Sequence, residues 1–302
     1  MSPFALPISS FTTYTQNRMF DDTPLVVGSP PQLLKWVGNK QRFAEKIVSM
    51  FPTSYNKYIE PFVGTGAVLA TLNPSKAIAG DMLKPLIELM ELLQDYPERL
   101  IESYALNWEQ FVVDRKSHYE KVKKSFNAHP NPLDLLFISR TCYGGVMRFT
   151  KEGKISTPIG PHKPVPPESF ENRVSIWNSR VKNTKFIHAD YRETMSLAEA
   201  GDIIYCDPPY VYSQAILYGA QSFKLKDLFI AIEDCVRKGA KVALSIDGTK
   251  KSGNKVLNFE FPVDLFKREL FIDNGHSMLK RFQKTGENMD GEYVKERLLL
   301  TW

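Results

Sequence analysis

Six short apolar runs punctuate the chain: Lys57 to Phe62, Lys76 to Gly80, Thr184 to His188, Asp202 to Cys206, Lys241 to Ile246, and the stretch near Arg297 to Trp302. Runs of this length with apolar residues on both alternating faces read as strands buried on both sides of a sheet. Each of the first four is followed within two residues by Gly or Asp, a chain reversal in the making. Segments of helical period lie between several of them, notably Gln41 to Met50, Pro85 to Leu93 and Leu225 to Lys238. Strand alternating with helix predicts an α/β fold with a doubly wound, Rossmann-like sheet of parallel strands, which binds its ligands at the carboxyl ends of those strands.

One interval breaks the rhythm. Between the second and third runs lie roughly a hundred residues, too many for a loop. Tyr96 to Phe137 is charged, aromatic and helical in pattern, whereas Arg140 to Pro167 is rich in Gly, Pro, Lys and Arg. The pattern predicts an inserted, mainly helical subdomain at 91–180 and a main domain built from 31–90 and 181–302. Residues 1–30 read as an irregular N-terminal arm, and neither a repeat nor a low-complexity tract is visible.

Composition narrows the class only slightly. With 43% hydrophobic and 24% charged residues, the chain of 302 residues is that of an ordinary globular protein. The formal charge of +5 permits a polyanionic partner without demanding one. Basic residues cluster at Arg115-Lys116, at Lys121 to Lys124, within Arg140 to Lys154, at Lys250 to Lys255 and at Lys280 to Lys284; solvated surface accounts for such clusters equally well. Three cysteines without paired short spacings argue against a disulfide framework or a zinc site and fit a reducing, cytoplasmic setting without a metal. No stretch approaches the ~20 apolar residues of a membrane span, so no membrane association is expected.

Chemistry concentrates at the strand ends. Ile59 to Val68 runs from a strand through Gly64-Thr65-Gly66 into a helix, a turn whose glycines let the backbone approach a ligand at the helix N-terminus. Leu69 stands where a dinucleotide fingerprint wants its third glycine, which disfavours a nicotinamide enzyme. Asp81 closes the next strand, where a carboxylate can accept hydrogen bonds from both hydroxyls of a ribose or can cap the following helix. Asp190, after the third strand, has the same two readings: acceptor for an adenine amino group, or cap.

Ile203 to Tyr210 places an acid, two prolines and an aromatic directly after a hydrophobic strand. Pro208 and Pro209 fix φ and remove two backbone donors, leaving carbonyl acceptors beside the Asp207 carboxylate. Such a set can hold a planar amino group by its two N–H bonds, and Tyr210 offers a ring face on which a base can stack.

With Glu60-Pro61-Phe62-Val63-Gly64-Thr65-Gly66, then an insertion, then Asp207-Pro208-Pro209-Tyr210, the chain resembles the DNA adenine methyltransferase family. Leu34-Lys35-Trp36-Val37-Gly38-Asn39-Lys40 is similar to that family's N-terminal Lys-Trp-Ala-Gly-Gly-Lys element, with Asn39 in place of the second glycine. The resemblance spans about 31–302. It implies a site-specific enzyme that transfers a methyl group from S-adenosylmethionine, released as S-adenosylhomocysteine, to N6 of a flipped adenine in double-stranded DNA. Catalysis falls by resemblance to Asp207, Pro208, Pro209 and Tyr210. Cofactor contact falls to Trp36 and Lys40, in the element that helps hold the methionine end, and to Pro61, Phe62, Gly64, Gly66, Asp81, Asp190 and Tyr191. A cognate restriction endonuclease is the further partner it suggests.

Arg140 to Phe149 is similar to the family's Arg-Thr-Cys-Phe-Asn-Gly-Leu-Tyr-Arg segment, and Lys151-Glu152-Gly153-Lys154 reads as a hairpin turn projecting towards DNA. Arg140, Tyr143, Arg148, Lys151 and Lys154 are therefore expected at the DNA, on phosphates or guanine edges. Competing readings are another amino methyltransferase, acting on cytosine N4, RNA adenine or a protein glutamine, and a catalytically silent DNA-binding relative.

Overall fold

Apolar side chains alternate between two cores along each central strand, and this sets the architecture. In β1 (Tyr58–Glu60), Tyr58 enters one core and Ile59 the other; in β4 (Ile203–Cys206), Ile203 and Tyr205 enter the first core while Ile204 and Cys206 enter the second. Burial on both faces removes the polar alternation of a half-exposed strand and forces helices onto both sides of the sheet. The computed structural model describes residues 28–36, 38–150, 152–209, 223–247, 249–250, 255–256, 261–262, 264–276 and 293–302. The expected N-terminal arm thus lies, up to residue 27, outside the described residues.

Seven strands form one sheet in the order β3-β2-β1-β4-β5-β9-β8. Parallel pairing joins β3 (Thr184–His188), β2 (Ala77–Asp81), β1, β4 and β5 (Lys241–Asp247). A two-strand ladder, β6 (Thr249–Lys250) with β7 (Lys255–Val256), stands apart. The sheet is completed by β8 (Arg268–His276) and β9 (Tyr293–Leu300), and β9 is antiparallel to both β5 and β8. The six predicted runs are all strands, with the last antiparallel. The sequence pattern misses β8, because Arg-Glu-Leu-Phe-Ile-Asp carries the mixed polarity of a sheet edge.

Before β1 lies α1 (Ala44–Val48), and α2 (Ala67–Leu72) follows the glycine turn. Between β2 and β3 come α3 (Lys84–Asp95), α4 (Pro97–Val113), α5 (Arg115–Ala128), α6 (Pro132–Thr141) and α7 (Pro167–Val181). Prolines at the first turn of α3, α4, α6 and α7 are preset for helix and lack a donor that would go unpaired there. Asp114 caps α5 by accepting from Ser117 N at 3.1 Å, and Asn131 caps α6 by accepting from Asp134 N at 2.9 Å. Tyr104, Phe111, Tyr119, Phe137, Phe170 and Trp177 from these helices share one core with Leu69, Leu86 and Met90. On the other face, α8 (Tyr191–Ser196) and α9 (Leu225–Arg237) close the second core. Among the described residues no helix is long and apolar enough to cross a membrane.

Candidate active site

A cleft opens at the carboxyl ends of β1, β2 and β4, lined by Trp36, Lys40, Pro61, Phe62, Gly64, Asp81, Asp190, Tyr191, Asp207 and Pro209 of the expected set. Its floor is the glycine turn. Gly64 (φ +49°) and Gly66 (φ +69°) hold the left-handed conformation that other residues resist, and a Cβ at Gly64 would meet open space rather than protein. Gly66 caps α2 from behind, against Trp177, and does not itself line the cleft.

Asp81 accepts from Gly64 N at 3.1 Å and from Leu83 N at 2.9 Å, so its carboxylate ties the glycine turn to the loop leading into α3. Burial raises its pKa above the ordinary aspartate value, against the lowering effect of these backbone bonds. Both readings of Asp190 have a basis in the structure: it lines the cleft, and it caps α8 by accepting from Arg192 N at 2.9 Å while pairing with Arg192 Nε at 2.8 Å. Beside it, the Tyr191 ring stacks on Phe62, with centroids 5.1 Å apart and planes 24° apart, and Phe223 stands edge-on to both. This aromatic corner suits a flat heterocycle.

Also in the cleft lining, Asp207 Oδ1 lies 2.8 Å from Lys40 Nζ. That ammonium is also 3.3 Å from Glu296 Oε1 and 3.2 Å from Gly38 O. Burial pulls the Lys40 pKa down, but the Asp207 and Glu296 carboxylates outweigh it and hold the group above the usual lysine value. Lys40 is thus engaged with two carboxylates while also lining the cleft. Glu60 accepts from Tyr58 Oη at 2.8 Å and from Leu69 N at 3.1 Å. Burial, aided by the charges of Asp207 and Asp81, pushes its carboxyl well above the ordinary glutamate value despite those two bonds. Pro208 is buried and Pro209 half-buried behind Asp207, whereas Tyr210 lies outside the described residues.

The cleft carries five carboxyl side chains, Glu60, Asp81, Asp190, Asp207 and Asp227, against two cations, Lys40 and Arg192. A negative, partly aromatic cleft with several carboxyl groups in its lining fits a cationic nucleoside such as S-adenosylmethionine, whose sulfonium, ammonium and ribose hydroxyls all favour carboxylate partners.

The DNA-facing expectations divide. Arg148 and Lys154 are exposed on a segment that doubles back through bridges between Cys142 and Ile159 and between Phe149 and Ile155. Tyr143 is 40% exposed on the 3-10 turn within it, and Lys151 lies outside the described residues. Arg140 departs from expectation. It is 3% exposed, and its guanidinium donates to Leu33 O at 2.7 Å and Gln32 O at 3.1 Å. The cause is its position in the last turn of α6, which turns it inward onto the segment leading to Trp36. Arg173 and Trp177 hold the same segment, donating to Gln32 O and Pro31 O, each at 2.7 Å.

Sequence reasoning missed Phe149, Phe223, Asp227 and Glu296. Phe149 sits next to the expected Arg148 yet points into the cleft, as alternation along an extended segment allows. Nothing in its local sequence sets Glu296 apart from a surface glutamate.

A family model described as D12 class N6 adenine-specific DNA methyltransferase matches residues 36–268. The chain is 30% identical to the DNA adenine methylase of Vibrio cholerae over 216 residues, covering 69% of this chain and 76% of that one. With the type II methyltransferase M.MjaIII of Methanocaldococcus jannaschii it shares 28% identity over 284 residues, 87% of this chain and 94% of the other. The type II methyltransferase M1.LlaDCHI of Lactococcus lactis subsp. cremoris is 27% identical over 227 residues, 70% and 79% of the two chains.

Proposed function

Because the chain belongs to the D12 class of N6 adenine-specific DNA methyltransferases, we propose that its cleft binds S-adenosylmethionine along the glycine turn and presents Asp207 to the amino group of an adenine flipped out of duplex DNA. The observation that carries this reading is the carboxylate of Asp207 in an acidic cleft that also holds the Phe62–Tyr191 stack. The cofactor supplies an electrophilic methyl group on a sulfonium. Asp207 and the Pro208 carbonyl accept the two amino N–H bonds, which turns the nitrogen lone pair towards that methyl. Asp207 need not be a strong base, since the methylated nitrogen is acidic and loses its proton readily. Flipping costs a few kcal/mol, and stacking on Tyr210 offsets part of it.

Asp81 serves the ribose hydroxyls, Phe62 and Tyr191 hold the adenine of the cofactor, and residues 91–180 form the target-recognition region. The partner is double-stranded DNA, the setting cytoplasmic, and a cognate endonuclease fits the likeness to type II methyltransferases. Incubating the protein with random duplex DNA and methyl-labelled S-adenosylmethionine tests the reading. Label should appear as N6-methyladenine at one short sequence, and label on cytosine or none at all would overturn it.

Asp81→Ala should weaken S-adenosylmethionine binding by about 1.5–3 kcal/mol, the worth of charge-assisted hydrogen bonds. Calorimetry giving an unchanged affinity would reduce Asp81 to a staple between Gly64 and Leu83. Arg148→Ala and Lys154→Ala should act on recognition, since both side chains are exposed on the segment whose Phe149 lines the cleft. If the side chain bonds a guanine edge, its removal should relax preference at one base pair by about 1–3 kcal/mol; if it pairs with a phosphate, its removal should flatten the salt dependence on every sequence alike. Rates on cognate DNA and its single-base variants across a salt series separate the two, and no change in either quantity removes these residues from the DNA interface.

A further inference from the structure

Glu296 belongs to none of the segments that resemble the family's motifs. It sits in β9, is 6% exposed, and brings its Oε1 to 3.3 Å from the ammonium that Asp207 holds. Lys40, 4% exposed, faces three oxygens: Asp207 Oδ1 at 2.8 Å, Gly38 O at 3.2 Å and Glu296 Oε1 at 3.3 Å. An ammonium has three N–H donors and can serve both carboxylates at once. The two carboxylates differ in access, with the Asp207 side chain 19% exposed and that of Glu296 only 7%. One faces the cleft and the other backs it.

This geometry poses a problem for catalysis. An amino group arriving at Asp207 is a neutral donor, and it must compete at that carboxylate with a charge-assisted bond from Lys40. A buried ammonium that let go of its one carboxylate would be left nearly unpaired, and breaking a buried pair is strongly unfavourable. A second carboxylate at the same ammonium removes this obstacle. The cation can lean towards Glu296 without leaving the company of negative charge, and Asp207 is freed to turn an oxygen to the substrate. With Glu296 in place, the trio also keeps one net negative charge facing the cleft.

We propose that Glu296 is a positioning residue for methyl transfer, acting through Lys40 by sharing its ammonium with Asp207. The inference rests on the assignment of Asp207 as the group that holds the target amino group.

The test uses the full chain, methyl-labelled S-adenosylmethionine and duplex DNA carrying the mapped site, with single-turnover rates and cofactor affinity measured separately. Glu296→Gln keeps the shape and removes the charge, so the ammonium stays on Asp207. Its single-turnover rate should fall by about tenfold or more, the scale on which small misplacements of reacting groups act, while cofactor affinity and thermal midpoint stay near wild type. Glu296→Asp keeps the charge one methylene further back and should be slowed only severalfold, faster than the Gln variant. A Gln variant at the wild-type rate, an Asp variant no faster than the Gln variant, or a loss confined to cofactor affinity would each overturn the proposal. Should the Gln variant not fold, the Asp variant decides alone, and a wild-type rate for it counts against the proposal. Asp207→Ala measured alongside separates the two levels: if it turns over normally, the reading of Asp207 fails; if it is inactive while both Glu296 variants behave as wild type, only the role of Glu296 fails.

Discussion

Asp207→Ala should abolish methyl transfer to within detection, a loss of about 10²–10³-fold at least, the usual cost of deleting a preorganised electrostatic partner of the reacting group. Cofactor affinity should change by no more than a few-fold, because the aromatic corner of Phe62, Tyr191 and Phe223 and the carboxylate of Asp81 also line the cleft and are left in place. The fold should survive, since Asp207 is partly exposed and the cation it leaves behind still has Glu296 at 3.3 Å and Gly38 O at 3.2 Å. Asp207→Asn sharpens the result. Its amide retains an oxygen acceptor but loses the charge, and its NH₂ cannot replace the carboxylate against Lys40. The Asn variant should therefore be inactive or nearly so while remaining folded. Single-turnover rates with labelled S-adenosylmethionine, paired with calorimetric affinities, measure both quantities. Turnover of the Ala variant at the wild-type rate would remove Asp207 from the reaction.

What the sequence made legible follows from burial. The central strands are covered on both faces, so Ile203 to Cys206 and Lys241 to Ile246 show as unbroken apolar runs, and residues just beyond a strand's end point into the cleft by topology alone. That is why Asp81, Asp190 and Asp207 could be placed from sequence. β8 escaped notice because an edge strand carries no such run. Side-chain direction was the other blind spot. Arg140 stands in a basic, glycine-rich stretch and reads as a DNA contact, yet its place in the last turn of α6 aims it at the carbonyls of Gln32 and Leu33. Lys40 and Glu296 are separated by most of the chain, and only the pairing of β9 with β5 brings them together. Long-range charge pairing of that kind leaves no periodic trace in a sequence.

Trp177→Ala should be the most destabilising of these substitutions, because one side chain serves three parts of the fold. Trp177 is fully buried in α7, where it belongs to the core shared with Leu69, Met90 and Phe170. Its ring edge lies against the glycine turn, where a Cβ placed on Gly66 would stand 3.6 Å from it. Its indole Nε1 donates to Pro31 O at 2.7 Å, fastening the segment that carries Trp36 and Lys40 to the cleft. Truncating a buried aromatic to alanine costs about 3–5 kcal/mol through reduced transfer energy and the cavity left behind. Pro31 is exposed, so its freed carbonyl can turn to water and the lost hydrogen bond adds only about 0.5–1.5 kcal/mol. Against a total stability of about 5–15 kcal/mol for a folded domain, such a loss is a large fraction of the whole. Trp177→Phe separates the components, since it keeps most of the packing and gives up the hydrogen bond, and it should cost clearly less than the alanine change. Urea midpoints with unchanged slopes measure both values. Because α7 holds the Pro31 to Lys40 segment, the Phe variant should also bind S-adenosylmethionine less tightly than wild type while still folded. Equal stabilities for the Ala and Phe variants would show that the cavity contributes nothing, and a wild-type midpoint for Trp177→Ala would mean that α7 does not anchor the site.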